Sequence, residues 1–295
     1  MDDYANNVSD KHKNKYDNGS KNSQLDQIKK VLTAQGYSSR TIGSYLHYID
    51  DFLEHIDNPI EPPDLSQVND YLAHLSENLD LSRSTMNVAI SAIKFYYKNL
   101  FDVDIPHRIS RPKKEKKLPD ILNRKEVKRL LSALKNIKSR AILVLTYSSG
   151  LRVSEVVLLR VSDLDFTRDS ITIKGAKGRK DRVTLFFDRA QRTLRTYLKA
   201  EQPDYWLFPG QKEDKHLTAR SAQLHFKHAL EKTNIQKEVS IHSLRHSFAT
   251  HLLENGTDIR YIQKLLGHKS TKTTEIYTHV TNTALQRIKS PFDEM

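Results

Sequence analysis

Four separate segments of the chain carry side chains whose types suit a reaction at a charged substrate. Guanidinium groups bind oxyanions as planar forks, imidazole and amine groups transfer protons, and a phenol can serve as a nucleophile. The candidate residues, in chain order, are Arg152, Lys177, His242, Arg245, His268 and Tyr277. Each of them taken alone has an ordinary explanation as a surface charge, a helix cap or a packing residue. Their order and sequence context therefore decide whether they form a site.

The sequence around these residues is as distinctive as the residues themselves. Arg152 lies in Gly-Leu-Arg-Val-Ser-Glu, and Arg245 lies in His-Ser-Leu-Arg-His-Ser-Phe-Ala-Thr-His-Leu. His268 follows Leu-Leu-Gly and precedes Tyr277 by nine residues, within Lys-Ser-Thr-Lys-Thr-Thr-Glu-Ile-Tyr-Thr-His-Val. Together they resemble the tyrosine recombinase and phage integrase family, whose signature is Arg, Lys, His-x-x-Arg, His and Tyr in that order. The resemblance covers the chain from about Ser23 onward.

The resemblance implies a covalent mechanism, and phosphodiester chemistry explains the residue types. Attack by the phenol of Tyr277 passes through a phosphorane-like state with extra charge on the non-bridging oxygens. Arg152 and Arg245 can present forks of donors to these oxygens, and losing one such donor typically costs about 3–4 kcal/mol. Lys177 would protonate the departing 5′-oxygen. The bond energy is kept in a 3′-phosphotyrosine, so rejoining is expected to need no ATP and no other cofactor.

Two histidines and a carboxylate complete the set that the resemblance implies. His242 and His268 are expected to hydrogen-bond the phosphate or to handle the tyrosine proton. In the family, the position of His242 is associated with general acid–base work and that of His268 with phosphate contact and positioning. Glu155, one turn after Arg152, resembles the family's supporting acid and is expected to orient the arginine.

The choice of lysine and the question of a metal depend on local sequence. Lys174 and Lys180 lie in the same basic hairpin and compete with Lys177, which fits the family's turn best. No metal is expected, because the arginines supply the positive charge. The thirteen histidines show no HExxH-type spacing, and nearby carboxylates are too few for a two-metal nuclease.

The composition favours a polyanionic partner. The formal net charge is +12, and a basic protein gains affinity for DNA by releasing counterions from neutralised phosphates. No run approaches the roughly 18 apolar residues that a membrane helix needs, and the N-terminus lacks a secretory signal. The absence of cysteine excludes disulfides and thiolate sites. These features predict a cytoplasmic, nucleoid-associated protein that binds double-stranded DNA and no membrane.

Composition and periodicity divide the chain into four parts. Residues 1–22 are polar and predicted to be a tail, whereas 23–106 show helical spacing and resemble the family's core-binding, SAM-like domain. Residues 107–120 are predicted to be a basic extended linker, either a solvated tether or a strap along a phosphate backbone. Residues 121–295 are predicted to be the catalytic domain.

The predicted fold class is mainly α with a small β-hairpin in the catalytic domain. Serines at 38 and 82 are expected to start helices, and Gly36 to end one. Residues 170–173 and 182–185 read as the two strands of the hairpin, and the rest of the catalytic domain as helical with a break at residues 254–256. The resemblance implies a two-domain, C-shaped clamp.

Size narrows the type of recombinase. A 22-residue tail is too short for the arm-type domain of lambda-like integrases, and no large insertion separates Lys177 from His242, which argues against an integron integrase. The compact Xer type, which resolves chromosome dimers, remains, with a small mobile-element integrase as the alternative. A monomeric type IB topoisomerase and a non-catalytic DNA-binding regulator are further alternatives. None of the required arginines, nor the nucleophile, is missing.

The resemblance also implies self-association, with a dimer on one DNA site and a tetramer in the synapse. The C-terminal run Thr281–Lys289 carries apolar residues at 284, 285 and 288 on one face. It can pack onto a neighbouring protomer, as the family's last helix does, or onto its own domain. The sequence leaves open whether a second recombinase or a DNA translocase takes part.

Overall fold

A computed structural model describes residues 21–56, 65–78, 81–105, 120–176, 180–212, 214–268, 270, 272–275 and 277. The chain forms two compact units, Met1–Lys116 and Lys117–Met295, each with a hydrophobic core of its own. Within the described ranges, no helix is long and apolar enough to cross a membrane.

The N-terminal unit is helical, as its sequence periodicity predicts. Its helices are α1 (Lys21–Ala34), α2 (Ser39–His55), α3 (Leu65–Asn78) and α4 (Arg83–Phe101). The predicted caps at α2 and α4 are confirmed, since the hydroxyls of Ser38 and Ser82 accept hydrogen bonds from the backbone three residues later. Apolar side chains from all four helices form the core, which also buries a hydrogen bond from Tyr96 to Gln24.

Most of the catalytic unit is also helical. Its helices are α5 (Arg124–Ser132), α6 (Ile137–Ser148), α7 (Val153–Val157), α8 (Asp188–Glu201), α9 (Ala219–Glu231), α10 (Ile241–Glu254), α11 (Ile259–Leu266) and α12 (Lys272–Glu275). Helix α6 is buried around most of its circumference and packs against both α8 and α10. The core therefore holds α10 in place, which matters because α10 carries two of the candidate side chains, His242 and Arg245.

The predicted hairpin is confirmed and belongs to a three-stranded antiparallel sheet. Its strands are β1 (Leu164–Asp165), β2 (Ser170–Ala176) and β3 (Lys180–Leu185), in the order β1-β2-β3. In the register of β2 and β3, Ile171 lies opposite Thr184 and Ile173 lies opposite Arg182. Strand β1 was not predicted, because two residues are too few to show an alternating pattern.

One prediction for this unit is wrong. Residues 202–212 and 214–218 were expected to be helical, but the structure has no helix there. Isolated bridges instead pair Arg160 with Trp206 and Pro209 with His216. Two prolines and Gly210 explain the difference, since proline removes a backbone donor and glycine weakens a helix. A Cβ at Gly210 would lie 2.8 Å from the carbonyl oxygen of His216, so glycine permits this close pairing.

Candidate active site

Arg152 is held at the start of helix α7 by a turn that only glycine can make. Gly150 has φ +61°, and a Cβ there would lie 2.5 Å from Cδ1 of Phe248 on α10. Glu155 then closes a capping box, accepting hydrogen bonds from the backbone N and the Nη1 of Arg152, both at 2.8 Å. The carboxylate thus fixes both the backbone and the guanidinium of Arg152.

Glu155 is itself clamped by Arg182 of strand β3. Arg182 donates from Nη1 and Nη2 to the two carboxylate oxygens at 2.7 and 2.9 Å, and from Nε to the carbonyl of Leu265 at 3.3 Å. Nη1 of Arg245 lies 3.8 Å from the same carboxylate. Burial acts to raise the pKa of Glu155, but the hydrogen bonds and charge of Arg182 outweigh it and hold the pKa at about 2. The carboxylate is therefore ionised.

Helix α10 presents His242, Arg245 and His246 on one face, because residues three and four apart are neighbours on a helix. Arg245 is buried and donates from Nη1 to the carbonyl of Gly150 at 2.6 Å and from Nη2 to the carbonyl of Leu266 at 2.7 Å. Burial lowers its pKa to about 10, so the group keeps its charge at neutral pH. Arg245 thereby joins the turn before α7 to the end of α11.

His268 follows the left-handed glycine that ends α11 and lies against Arg245. Nη2 of Arg245 is 3.0 Å from Nε2 of His268, and Nδ1 of His268 is 2.9 Å from the hydroxyl of Thr274. Arginine can only donate, so Nε2 accepts and Nδ1 carries the proton. Burial, and then the charge of Arg245, lowers the pKa of His268 to about 4. A neutral His268 therefore holds Arg245 in place.

Tyr277 is buried, with 1% of its surface exposed, and its phenol meets a histidine that was not predicted. The hydroxyl lies 3.0 Å from Nδ1 of His246, and the ring lies nearly parallel to that of His268, 6.5 Å away. Burial raises the pKa of Tyr277, while the charges of Arg245 and Arg152 act in the opposite direction. The phenol is thus in a positive field that favours its ionised form.

His242 faces the same arginines. Its residue surface is exposed, whereas Arg245 three residues later is buried. Burial of the ring, together with the charges of Arg245 and Arg152, lowers the pKa of His242. This side chain lies within the field of both arginines and remains accessible to a ligand.

The lysine of the predicted set, Lys177, lies outside the described residues. Of its two competitors, Lys174 pairs with Asp163 at 2.6 Å. An ion pair of this kind occupies the amine, which leaves Lys174 less suited to deliver a proton than an unpaired lysine.

The structure thus brings five of the six predicted residues to adjoining elements and adds two that were missed. Arg182 and His246 were not predicted, although the sequence contains a signal for each. In β3, positions 182 and 184 alternate with the exposed Val183 and Leu185, so Arg182 shares a face with the buried Thr184. His246 follows His242 by four residues and so lies on the same side of α10.

Comparison with known proteins agrees with this arrangement. Residues 120–284 match the Phage integrase family, and residues 25–107 match the Phage integrase, N-terminal SAM-like domain. The chain is similar to tyrosine recombinase XerA of Thermococcus kodakarensis, at 37% identity over 88% of this chain and 92% of the relative. It is also similar to the putative integrase/recombinase y4qK of Sinorhizobium fredii, at 34% identity over 89% of this chain and 86% of the relative.

Among solved structures, the fold is similar to the XerH site-specific recombinase bound to palindromic difH substrate. The TM-score is 0.70 at 22% identity, covering 98% of this chain and 89% of that one. The chain therefore belongs to the phage integrase family, the class that the helical fold with its small sheet and its arginine cluster define. Its activity is site-specific DNA recombination of the Xer type, and DNA is its target.

Proposed function

We propose that Tyr277 attacks a DNA phosphodiester and forms a 3′-phosphotyrosine, from which the strand is later rejoined. The supporting observation is charge. Beside the phenol, the guanidinium groups of Arg152, Arg182 and Arg245 surround a single carboxylate, that of Glu155. The resulting excess of positive charge suits a bound phosphodiester. It stabilises the transition state more than the substrate, because the transition state carries more negative charge.

The other residues divide the work of the transfer. Arg152 and Arg245 stabilise the charge on the non-bridging oxygens, and the accessible His242 hydrogen-bonds one of them. His268 keeps Arg245 in place through Nε2. Lys177 protonates the departing 5′-oxygen.

The experiment that tests this function is a trap for the covalent intermediate. The protein is incubated with genomic fragments that carry a nick near the scissile phosphate, so that the short cleaved end diffuses away and the adduct accumulates. We expect an adduct on Tyr277, located by mass spectrometry, and none in Tyr277→Phe, with DNA affinity nearly unchanged. Tyr261→Phe is the matched control, since Tyr261 is 66% exposed on α11 and is given no role here. An adduct that survives in Tyr277→Phe would remove this residue from the role.

The same trap tests the prediction that arginines, without a metal or nucleotide, supply the positive charge. The adduct should form at full rate in excess EDTA. Activity that is lost on chelation and restored by Mg²⁺ would contradict the mechanism while leaving the nucleophile in place.

We also propose that the biological reaction is the resolution of chromosome or plasmid dimers. The alternative is the integration of a small mobile element. Sequencing of the trapped DNA separates the two. A single chromosomal site with two similar half-sites supports dimer resolution, whereas the ends of a mobile element support integration.

We further propose a role for each part of the chain and a way in which the protein self-associates. Residues 23–106 and 121–295 each bind DNA, residues 107–120 are a basic linker that serves as a solvated tether or as a strap along the phosphate backbone, and residues 1–22 are a tail. The protein forms a dimer on one site and a tetramer in the synapse through Thr281–Lys289, a run that lies outside the described residues. Sedimentation of the full chain and of a chain ending at residue 280, each with a DNA site, is the test. Equal assembly by both chains would exclude the C-terminal run.

A further inference from the structure

We propose that His246 is a further catalytic residue, which accepts the proton of Tyr277 while the phenol oxygen attacks phosphorus. The proposal rests on the proposed function of Tyr277 as the nucleophile. It assigns the tyrosine proton to a histidine other than His242 and His268, the two that the family signature contains.

His246 is in direct contact with the hydroxyl of Tyr277. Nδ1 of His246 lies 3.0 Å from the hydroxyl of Tyr277, which is within reach for direct proton transfer. The ring centroids are 5.7 Å apart with the planes tilted by 49°, so the histidine meets the hydroxyl rather than the ring face. With Nδ1 as the acceptor, Nε2 of His246 carries the ring proton. Geometry alone therefore places a base at the nucleophile.

His268 is not placed to accept the same proton. Its Nε2 already accepts from Arg245, and its Nδ1 proton points to Thr274. Its ring lies within 14° of parallel to that of Tyr277, which turns the ring face rather than a nitrogen toward the tyrosine. Both nitrogens of His268 are thus engaged elsewhere, whereas one nitrogen of His246 faces the phenol.

The pKa of His246 determines when the proton of Tyr277 can move. Burial, followed by the charge of Arg245, lowers the pKa of His246 to about 4, whereas burial raises the pKa of Tyr277 above the value near 10 of an ordinary tyrosine. Transfer before attack would therefore be unfavourable by at least roughly a million-fold. The phenol becomes far more acidic as its oxygen bonds to phosphorus, so the transfer must accompany attack.

The step is balanced in both directions. The O–H bond of Tyr277 breaks and its proton moves to Nδ1 of His246, while the phenol oxygen forms a bond to phosphorus. The bond from phosphorus to the 5′-oxygen breaks, and that oxygen takes its proton from Lys177. In rejoining, the 5′-hydroxyl attacks phosphorus and gives its proton back to Lys177, the bond from phosphorus to the phenol oxygen breaks, and His246 returns its proton to that oxygen.

The chain contains a matched control for this pair. On the same helix, Nδ1 of His251 lies 3.0 Å from the hydroxyl of Tyr147, and burial lowers the pKa of His251 to about 4 as well. The two pairs share their atoms and their distance, but Tyr147 has no proposed reaction.

The experiment compares His246→Asn with His251→Asn in single-turnover cleavage of the nicked substrate. Asparagine can still accept a hydrogen bond near the position of Nδ1, but it cannot take up a proton. We expect His246→Asn to cut roughly 10²–10⁴-fold more slowly and His251→Asn to cut at the wild-type rate. His246→Gln serves as a second variant, and DNA affinity confirms that each protein is folded.

A fluorinated tyrosine at position 277 separates a base from a positioning residue. Its phenol is more acidic and depends less on a base, so the deficit of His246→Asn should shrink at least tenfold. A deficit of unchanged size with the fluorinated tyrosine, or full activity of His246→Asn, would overturn the proposal. Failure of the wild-type protein to form any adduct would instead overturn the proposed function itself.

Discussion

Two histidines of helix α10, His246 and His251, each contact the hydroxyl of a tyrosine from another part of the chain. The two tyrosine–histidine pairs differ in their surroundings. At one pair, the phenol of Tyr277 is in the field of two arginines. At the other, burial raises the pKa of Tyr147, while the charge of Arg124 acts to lower it and that of Glu254 to raise it. Burial thus raises the pKa of both phenols, but charges of opposite sign surround Tyr147, whereas both arginines beside Tyr277 are positive. We propose that this difference in surrounding charge, rather than the pair itself, separates the reactive pair from the structural one.

The second pair has a structural task of its own. Arg124, at the start of α5, donates to the carbonyl of His251 at 3.1 Å and to the side chain of Asn255 at 2.8 Å. The backbone of Leu122 donates to the buried hydroxyl of Ser247 at 2.8 Å. These contacts fasten the first described residues of the catalytic unit along α10. The helix is therefore anchored at one end and carries the proposed reactive pair at the other.

The largest expected effect concerns Lys177, which is proposed to protonate the 5′-oxygen while Tyr277 loses its proton. Lys177→Ala should cut normal DNA roughly 10²–10⁴-fold more slowly, because the 5′-oxygen then departs without a proton. Sulfur at the 5′-bridging position needs no proton, so cleavage of that substrate should be largely restored. His246→Asn should not be restored by sulfur, since its defect lies at the nucleophile.

The same assay decides among the three lysines of the hairpin. Lys174→Ala and Lys180→Ala are the controls, because only the true acid shows both the loss and the rescue. Full activity of all three variants on normal DNA would place the general acid outside the hairpin and make His242 the next candidate.

Each tyrosine–histidine pair has a neighbouring arginine, Arg245 at one and Arg124 at the other. Replacing each arginine by lysine is the next test of the comparison. Arg245→Lys loses the fork that contacts Gly150 and Leu266 and should slow cleavage roughly 10²–10³-fold, since one donor to the developing charge is worth about 3–4 kcal/mol. Arg124→Lys should change the cleavage rate by less than about twofold, because it lies at the balanced pair. Equal losses in the two variants would show that the arginines act through folding alone.

The pH dependence of stability should involve both pairs in a similar way. Burial lowers the pKa of both His246 and His251 to about 4, so each is neutral when folded and titrates near 6.5 when unfolded. Their contribution to stability is complete above pH 6.5 and is lost as the pH falls toward 4. For the buried His251 the loss is at most about 3 kcal/mol.

Trp206, the single tryptophan, reports unfolding of the catalytic unit by fluorescence. Denaturant titrations at pH 7 and pH 5 should show a clear loss of stability at the lower pH. His251→Asn should flatten that dependence by the share of one histidine. A dependence as steep as that of the wild type would show that His251 already carries its proton in the folded state.

The smallest effect is expected from removing the hydroxyl at the balanced pair. Tyr147→Phe loses one partly buried hydrogen bond and should cost about 1 kcal/mol of unfolding free energy at pH 7. The covalent adduct should form at the wild-type rate. A cleavage defect in Tyr147→Phe that exceeds its loss of stability would mean that the anchored end of α10 also controls the reaction.

The sequence predicts regular elements well where a pattern repeats several times. Helices α2 and α4 have both an N-cap serine and several apolar turns, and the hairpin has alternation in two strands. Strand β1 has only two residues, and the bridge between Arg160 and Trp206 joins segments far apart in the chain. No local sequence pattern predicts such contacts, because the tertiary fold determines which segments pair.

The sequence likewise predicts only part of the site. Residue types and order identify Arg152, Arg245 and Tyr277, because each stands in a distinctive sequence. They do not reveal which histidine meets the phenol, since that depends on how the chain beyond α11 returns to α10. His246 has the right position on the helix, but so does His242, and only the packing of Tyr277 distinguishes them.

The number of residues between His246 and His251 fixes how the two ends of α10 are rotated relative to each other. At 3.6 residues per turn, each residue turns the helix by about 100°. One residue inserted between His246 and His251 would rotate the anchored end by that angle against the reactive end, although every side chain would still be present. Substitutions of similar size between these two positions should be tolerated, whereas single insertions or deletions there should not.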